Sequence, residues 1–334
     1  MGTFRSYIVP RIMQWVIVIF VGVTVSFIVP RLAPSDPVQS TLNRISALSG
    51  VNPEAVKKLE ETLRDLYGLK GSVWEQYLSF WKRLLIGDFG PSLSMFPTPV
   101  MTVLKISLPW TIGLLTISTL IGWGLGMLLG MFAGYFAQRK WVALVDAVIM
   151  FLYPIPYYIM ALTLVLLFTY VLPIFPLLGA VGIGLKPALN WTFVSSVVSH
   201  GFLPALSLVL GAVGWSYMSQ RALVSTTVTS DFVMYAEAAA LPRRTILFQY
   251  VLRNSLLPQI TDLALSLGVI FGGALITEYV FSYPGVGQIL YTAILQGDFN
   301  LMMGITVFSV VGIATAALFV DLLYPLFDPR IRYR

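Results

Sequence analysis

Six apolar runs divide the chain, at 12–29, 108–132, 142–172, 202–223, 260–281 and 302–324. Crossing ~30 Å of hydrocarbon takes about 20 mostly apolar residues in a helix, so each run is a candidate span. The pattern predicts an all-α polytopic membrane protein with six transmembrane helices. The domain reading that follows has an N-terminal segment with the first helix at 1–32, a helical loop at 33–105, and a five-helix core at 106–334. A polar, basic, helix-prone insert interrupts that core at about 225–258. The third run contains Pro154 and Pro156, and proline removes a backbone donor, so that run is expected to tilt or break. No small-residue cleavage site follows the first run, which meets Pro30-Arg31-Leu32 and is expected to persist as a helix.

Composition strengthens the membrane reading. Hydrophobic residues make up 57% and charged residues 11%, against about 25% charge in an ordinary soluble domain. The net charge of +6 does not point to nucleic acid once the basic residues are placed. With the N-terminus inside, the inner segments hold Arg5, Arg11, Arg139, Lys140, Arg221, Arg243, Arg244, Arg253, Arg330, Arg332 and Arg334, while the two short outer loops hold only Lys186. Lysine and arginine favour the cytoplasmic side of short loops, so both termini are expected there and the 33–105 loop is expected outside.

That loop reads as a folded element. Asn52 and Pro53 open a stretch of good helix formers from Glu54 to Tyr67, and Ser72 and Glu75 have the spacing of a capping box. Behind the box, Trp74, Tyr77, Trp81 and Leu84 recur at helical spacing, which makes an apolar face in need of a partner. The rest of the loop, the membrane interface or an external delivery protein would each serve.

Within the runs, Gly126, Gly130 and Gly134 lie four apart, the spacing that lets two membrane helices approach closely. They are expected to form a packing face. Pro154, Pro156 and Tyr157 mark a break whose freed carbonyl is tolerable where it faces protein or a water-filled path, which makes them candidate pathway residues. Asp146, Asp262 and Glu278 sit near the ends of their runs, within reach of water or a basic loop, and Asp321 lies where a C-terminal arginine could pair with it. Ion coupling therefore has little to stand on.

Chemistry is absent elsewhere too. There is no cysteine and His200 is the only histidine, which removes thiolate and multi-histidine metal centres from one subunit. No nucleophile has a base beside it in sequence, and no phosphate-cradling glycine loop ends in Lys-Ser or Lys-Thr. The chain reads as no enzyme and binds no cofactor of its own. If ATP drives it, the ATP and Mg sit on another polypeptide.

The motifs now resolve into a family pattern. Pro30-Arg31-Leu32-Ala33-Pro34-Ser35-Asp36-Pro37, Trp74-Glu75-Gln76-Tyr77-Leu78 and Gly87-Asp88-Phe89-Gly90-Pro91-Ser92-Leu93 resemble the R-L-x-P-G-D-P, Q-Y-L and G-D-x-G-x-S elements of type I ABC importer permeases in the dipeptide, oligopeptide and nickel branch. Glu278-Tyr279-Val280-Phe281-Ser282-Tyr283-Pro284-Gly285-Val286-Gly287 is similar to the E-x-V-F-x-x-P-G-x-G block, and Asp328-Pro329-Arg330-Ile331-Arg332 to the D-P-R-x-R ending. The resemblance covers nearly the whole chain.

Such permeases carry a cytoplasmic E-A-A-x3-G-x9-I-x-L-P motif that docks into the ATPase. The letters Glu237-Ala238-Ala239 appear, but that register puts Arg243 at the motif glycine. Matching Leu252-Arg253-Asn254 and Pro258 instead places Met234-Tyr235-Ala236 at the E-A-A letters and Ala240 at the glycine. The resemblance thus implies ATPase coupling through Ala236, Glu237, Ala238, Ala239, Ala240, Leu241, Pro242, Arg243 and Arg244. An amphipathic helix lying on anionic lipid would use the same leucines and arginines.

What the resemblance implies further is a multi-pass protein of a prokaryotic cytoplasmic (inner) membrane. Its partners would be a second homologous permease, two ATPase subunits, an extracytoplasmic substrate-binding protein and the lipid bilayer, with no nucleic acid. Alternating access would carry a peptide-like solute, with oligosaccharide or nickel as other cargoes of the same machinery and an ion-coupled secondary transporter as the competing class.

Overall fold

The structure is a computed structural model that describes residues 2–32, 38–39, 42, 53–66 and 68–327, side chains of 2–6, 53–55 and 324–327 excepted. The Asn52 cap, Tyr67, residues 33–37 of the first family element and the Asp328–Arg332 ending lie outside the described residues. Among the described residues every regular element of the fold is helical. We number them α1 (Gly2–Arg31), α2 (Pro53–Leu66), α3 (Val73–Leu85), α4 (Val100–Tyr135), α5 (Lys140–Leu152), α6 (Tyr157–Val171), α7 (Trp191–Val228), α8 (Asp231–Ala238), α9 (Arg243–Gly272), α10 (Leu275–Val280), α11 (Val286–Gln296) and α12 (Phe299–Phe327).

Five of these, α1, α4, α7, α9 and α12, are long and apolar enough to cross a bilayer, and a sixth crossing results if α5 and α6 count as one span. Those two helices meet at 91°, and the elbow holds Pro154 and Pro156, as loss of backbone donors requires. The fifth span differs from its expected position. The apolar run at 260–281 is divided by Gly273, whose φ of 73° ends the helix, so the span is Arg243–Gly272 and residues 275–280 form the separate α10. The insert expected at 225–258 shrinks accordingly, because α7 runs to Val228 and α9 begins at Arg243.

The tightest pairing is α4 against α7. A Cβ on Gly126 would lie 2.7 Å from Ser216 Cβ, one on Gly130 2.5 Å from Tyr217 O, and one on Gly134 2.8 Å from Val224 Cβ. The same stripe continues to Gly122, where a Cβ would meet Ala212 Cβ at 2.8 Å. Only glycine allows backbones this close. On the other side, α1 and α12 run antiparallel. Arg11 reaches Asp321 at 3.1 Å near one end, while Arg31 contacts Met303 near the other. Asp321 thus pairs across helices with Arg11, and the C-terminal arginines invoked for it lie outside the described residues.

The long loop is anchored. The capping box forms, with Glu75 Oε2 accepting from Ser72 N–H at 2.7 Å. Buried Asp298, just before α12, accepts from Ser92 Oγ at 2.6 Å and Ser94 N–H at 2.9 Å, which fastens the loop to the core. The aromatic face of α3 packs on the first span and not on the loop itself. Trp81 stacks on Phe20 with centroids 5.7 Å apart, and Tyr77 meets Phe27 at 5.2 Å and Thr24 Oγ1 at 2.8 Å. Trp74 remains exposed.

Candidate functional site

Between α7 and α9 the chain makes a short helix and a sharp turn. Val233 and Ala236 of α8 are buried, and their i, i+3 spacing fixes one face of the helix inward. That face joins Met131 of α4, Val224 of α7, and Ile246, Leu247 and Val251 of α9 in one apolar cluster. The segment is therefore seated on the ends of three spans. Its opposite face carries Met234, Tyr235, Ala238 and Ala239, all exposed, with Tyr235 75% so.

The turn explains the odd letter in the motif. Ala240 holds φ 56°. Its N–H donates to Glu237 O at 2.9 Å, and Leu241 N–H donates to Ala236 O at 3.2 Å. This pair of bonds is a Schellman helix end, in which the residue at the left-handed position is usually glycine. The register that puts Ala240 at the motif glycine therefore has a geometric reason. Leu241, which follows, packs inward on the same apolar cluster as Ala236, and Pro242 is the N-cap of α9. The opening of α9 then passes through a seven-residue π-helical stretch, Ile246–Leu252.

Arg243 and Arg244 are exposed and have no carboxylate within 4.0 Å among the described residues. Arg243 and Glu237 line one side of an open cleft of about 520 Å³, and Tyr135, Gln138 and Arg139 line the other. Of the nine residues predicted for coupling, Ala236 and Leu241 face the core, while Glu237, Ala238, Ala239, Ala240, Pro242, Arg243 and Arg244 are exposed. Met234 and Tyr235, which the family register put at the first two E-A-A letters but which are not among the nine, are exposed as well. The inward spacing of Val233 and Ala236 was the available signal for them.

Pro154, Pro156 and Tyr157 are exposed at the α5–α6 elbow, where Tyr157 packs on Gly211 of α7, whose added Cβ would lie 3.3 Å from it. They are not brought near α8. The acidic residues are spoken for. Asp146 accepts from Tyr217 OH at 2.6 Å and pairs with Arg221 at 2.8 Å, and Asp262 accepts from Trp215 Nε1 at 3.3 Å.

Glu278 corrects the expectation of a water-accessible position, being 0% exposed. Its carboxylate accepts from Thr111 Oγ1 at 2.9 Å, Gly287 N–H at 2.7 Å and Gln288 N–H at 3.2 Å. The last two are in the first turn of α11, where an anion meets free donors and the positive end of the helix dipole. The glycines of its sequence block make room for it: a Cβ on Gly287 would lie 3.0 Å from Glu278 Oε2, and one on Gly285 would be 2.5 Å from its carboxyl carbon. With Ala274 N–H at 3.4 Å as a fourth donor, the acceptor positions of this carboxylate are taken, which ties the fold together and leaves no free lone pair for a moving cation.

Comparison with known proteins follows the same line. Residues 126–333 match the family model described as binding-protein-dependent transport system inner membrane component. The chain is 28% identical over 334 residues to the oligopeptide transport system permease protein AppB of Bacillus subtilis (strain 168), an alignment that covers 98% of this chain and 99% of that protein. It is 28% identical over 328 residues to the oligopeptide transport system permease protein OppB of Salmonella typhimurium, and 26% identical over 331 residues to the dipeptide transport system permease protein DppB of Lactococcus lactis. Coverage is again 98% of this chain and 99% of each relative.

Proposed function

The chain belongs to the family of binding-protein-dependent transport system inner membrane components, and from that premise we propose that it is the permease subunit of an ATP-driven importer of peptide-like solutes. The peptide reading is supported by the names of the relatives, which are oligopeptide and dipeptide permeases. The coupling reading is carried by one observation: an outward face of Met234, Tyr235, Ala238 and Ala239 mounted on a buried base shared by α4, α7 and α9. Exposed small and apolar residues on a rigid mount suit close docking of another protein. The uncompensated Arg243 and Arg244 beside it suit an acidic rim on that partner.

In this account two permease subunits enclose the path, and a substrate-binding protein delivers cargo on the far side. ATP and Mg bind to two partner ATPases. When these close on ATP, the displaced α8 carries α4, α7 and α9 with it, because it shares their apolar cluster. Access then alternates from one side to the other.

Gentle solubilisation of the tagged chain, with mass spectrometry of what co-purifies in stoichiometric amount, tests the assembly. Recovery of P-loop ATPases and a second permease is the expected result. Recovery of the chain alone, intact and monodisperse, would contradict it.

A further inference from the structure

The fifth span as it folds carries one carboxylate into the membrane. Asp262 stands at the start of the apolar run 260–281, but the span is Arg243–Gly272. At 1.5 Å per residue, Asp262 lies about 13 Å beyond Arg253 and about 15 Å before Gly272. No lysine or arginine follows Arg253 on that helix, so the carboxylate sits in the apolar part of the span. It is half-buried, and no basic side chain lies within 4.0 Å of it among the described residues. The contact it does have comes from a neutral group, the Trp215 indole of α7, whose Nε1–H donates to Oδ1 at 3.3 Å. A charge at this depth faces protein or a water-filled path, because hydrocarbon chains do not solvate it.

The surroundings favour the path. Asn254, Pro258 and Ser266 recur at four-residue intervals with Asp262 and are all exposed, which gives α9 an uncovered polar edge. Trp215 beside it is 55% exposed. About 6 Å back along α7, Gly211 supports Tyr157 of the α5–α6 elbow, itself exposed together with Pro154 and Pro156. The elbow that the sequence marks as a pathway candidate therefore lies one helical turn from Trp215.

We propose that Asp262 and Trp215 form a cation subsite midway along the translocation path, which takes the α-ammonium group of a peptide-like solute as it passes. The carboxylate supplies the charge and the accepting oxygens, and an exposed indole beside it supplies a π face, the pairing that recognises an ammonium. A peptide carries that group protonated at neutral pH. The cargo rests on the importer reading, whereas the uncompensated charge inside the span does not.

The chain has no cysteine, so one can be added without background. Ser266→Cys, one turn from Asp262, is made in the full complex in proteoliposomes. Its modification by a cationic and by an anionic methanethiosulfonate reagent is followed on this chain by mass spectrometry. The cationic reagent should react about tenfold faster, and Asp262→Asn should remove that preference. Uptake of tri-alanine is measured alongside, with capture by the substrate-binding protein as a separate readout. Asp262→Asn should slow uptake about tenfold at unchanged capture, the loss expected for one charge-assisted contact. Trp215→Leu should slow it less, and Asp262→Glu should retain most of the wild-type rate. No modification of Ser266→Cys, or equal rates for the two reagents, would overturn the subsite, and so would wild-type uptake in Asp262→Asn. Dissociation of a second permease in Asp262→Asn would overturn it too, by assigning the carboxylate to an ion pair across that interface. Absence of tri-alanine uptake in wild type, with the reagent preference intact, would count against the peptide cargo and for the cation site.

Discussion

The same backbone device occurs twice in this chain with opposite surroundings. After α8 the sequence Ala240-Leu241-Pro242 closes a Schellman end with φ 56° at Ala240, and after α10 Ser282-Tyr283-Pro284 closes another with φ 46° at Ser282. In the second, Tyr283 N–H donates to Glu278 O at 2.8 Å and Ser282 N–H to Tyr279 O at 3.0 Å. Both then place an apolar side chain inward, Leu241 in one cluster and Tyr283 in another. Yet the helix before the first turn leaves Met234, Tyr235, Ala238 and Ala239 exposed, whereas the second is sealed around the buried Glu278. Local geometry therefore does not distinguish the turn proposed for coupling from the sealed one. What distinguishes it is an outer face that no other described residue covers.

The sharpest way to break the comparison is at the sealed end. Glu278→Ala strands the Gly287 and Gln288 N–H groups and the Thr111 hydroxyl, at a cost of about 3 kcal/mol or more. The thermal unfolding midpoint in detergent should fall sharply, and an unchanged midpoint would mean the cradle contributes little. Next in size, Gly130→Val forces α4 off the backbone of α7 and should cost about 2 kcal/mol. Gly124→Val, where a Cβ meets nothing within 4 Å, serves as the control on the same helix.

The two turns themselves separate the smaller effects. Ala240→Gly relieves a left-handed alanine and should raise stability by about 0.5 kcal/mol after the added freedom of the unfolded chain is counted. Ser282→Gly should do the same in the buried turn, and destabilisation in both by the same assay would show that the positive φ is not strained. Smallest is a pH effect outside the spans. The Ser72 N–H and hydroxyl hold the Glu75 carboxyl below its usual range. A depressed folded pKa means the cap's contribution is present above about pH 4.3 and is lost as pH falls through the lowered value. Proteolysis at α3 should accelerate there in wild type, and the pH dependence should vanish in Glu75→Gln.

Much of this architecture was legible beforehand because long apolar runs have few alternatives in a bilayer. The fifth span was misplaced for a physical reason. An apolar stretch such as 275–281 reads alike as the end of a spanning helix or as a short buried one, and only the left-handed Gly273 divides them. The burial of Glu278 was invisible because its partner Thr111 is 167 positions away and its other partners are backbone groups. At the segment proposed for coupling, the family register put Ala240 at the motif glycine, and the fold gives that residue a left-handed φ of 56°. Which side of α8 faces out needed the packing, and so Leu241 stood as a surface residue in the sequence and is a core contact in the fold.

The central claim is that the exposed face of α8 transmits ATPase closure. Tyr235→Asp places a charge on that face, at a residue 75% exposed, where folding stability should shift by no more than about 0.5 kcal/mol. Uptake and ATP hydrolysis would be measured together on the assembled complex in proteoliposomes. The account predicts normal membrane insertion with uptake abolished and hydrolysis no longer stimulated by loaded binding protein. Wild-type uptake with wild-type stimulation in that variant would contradict it.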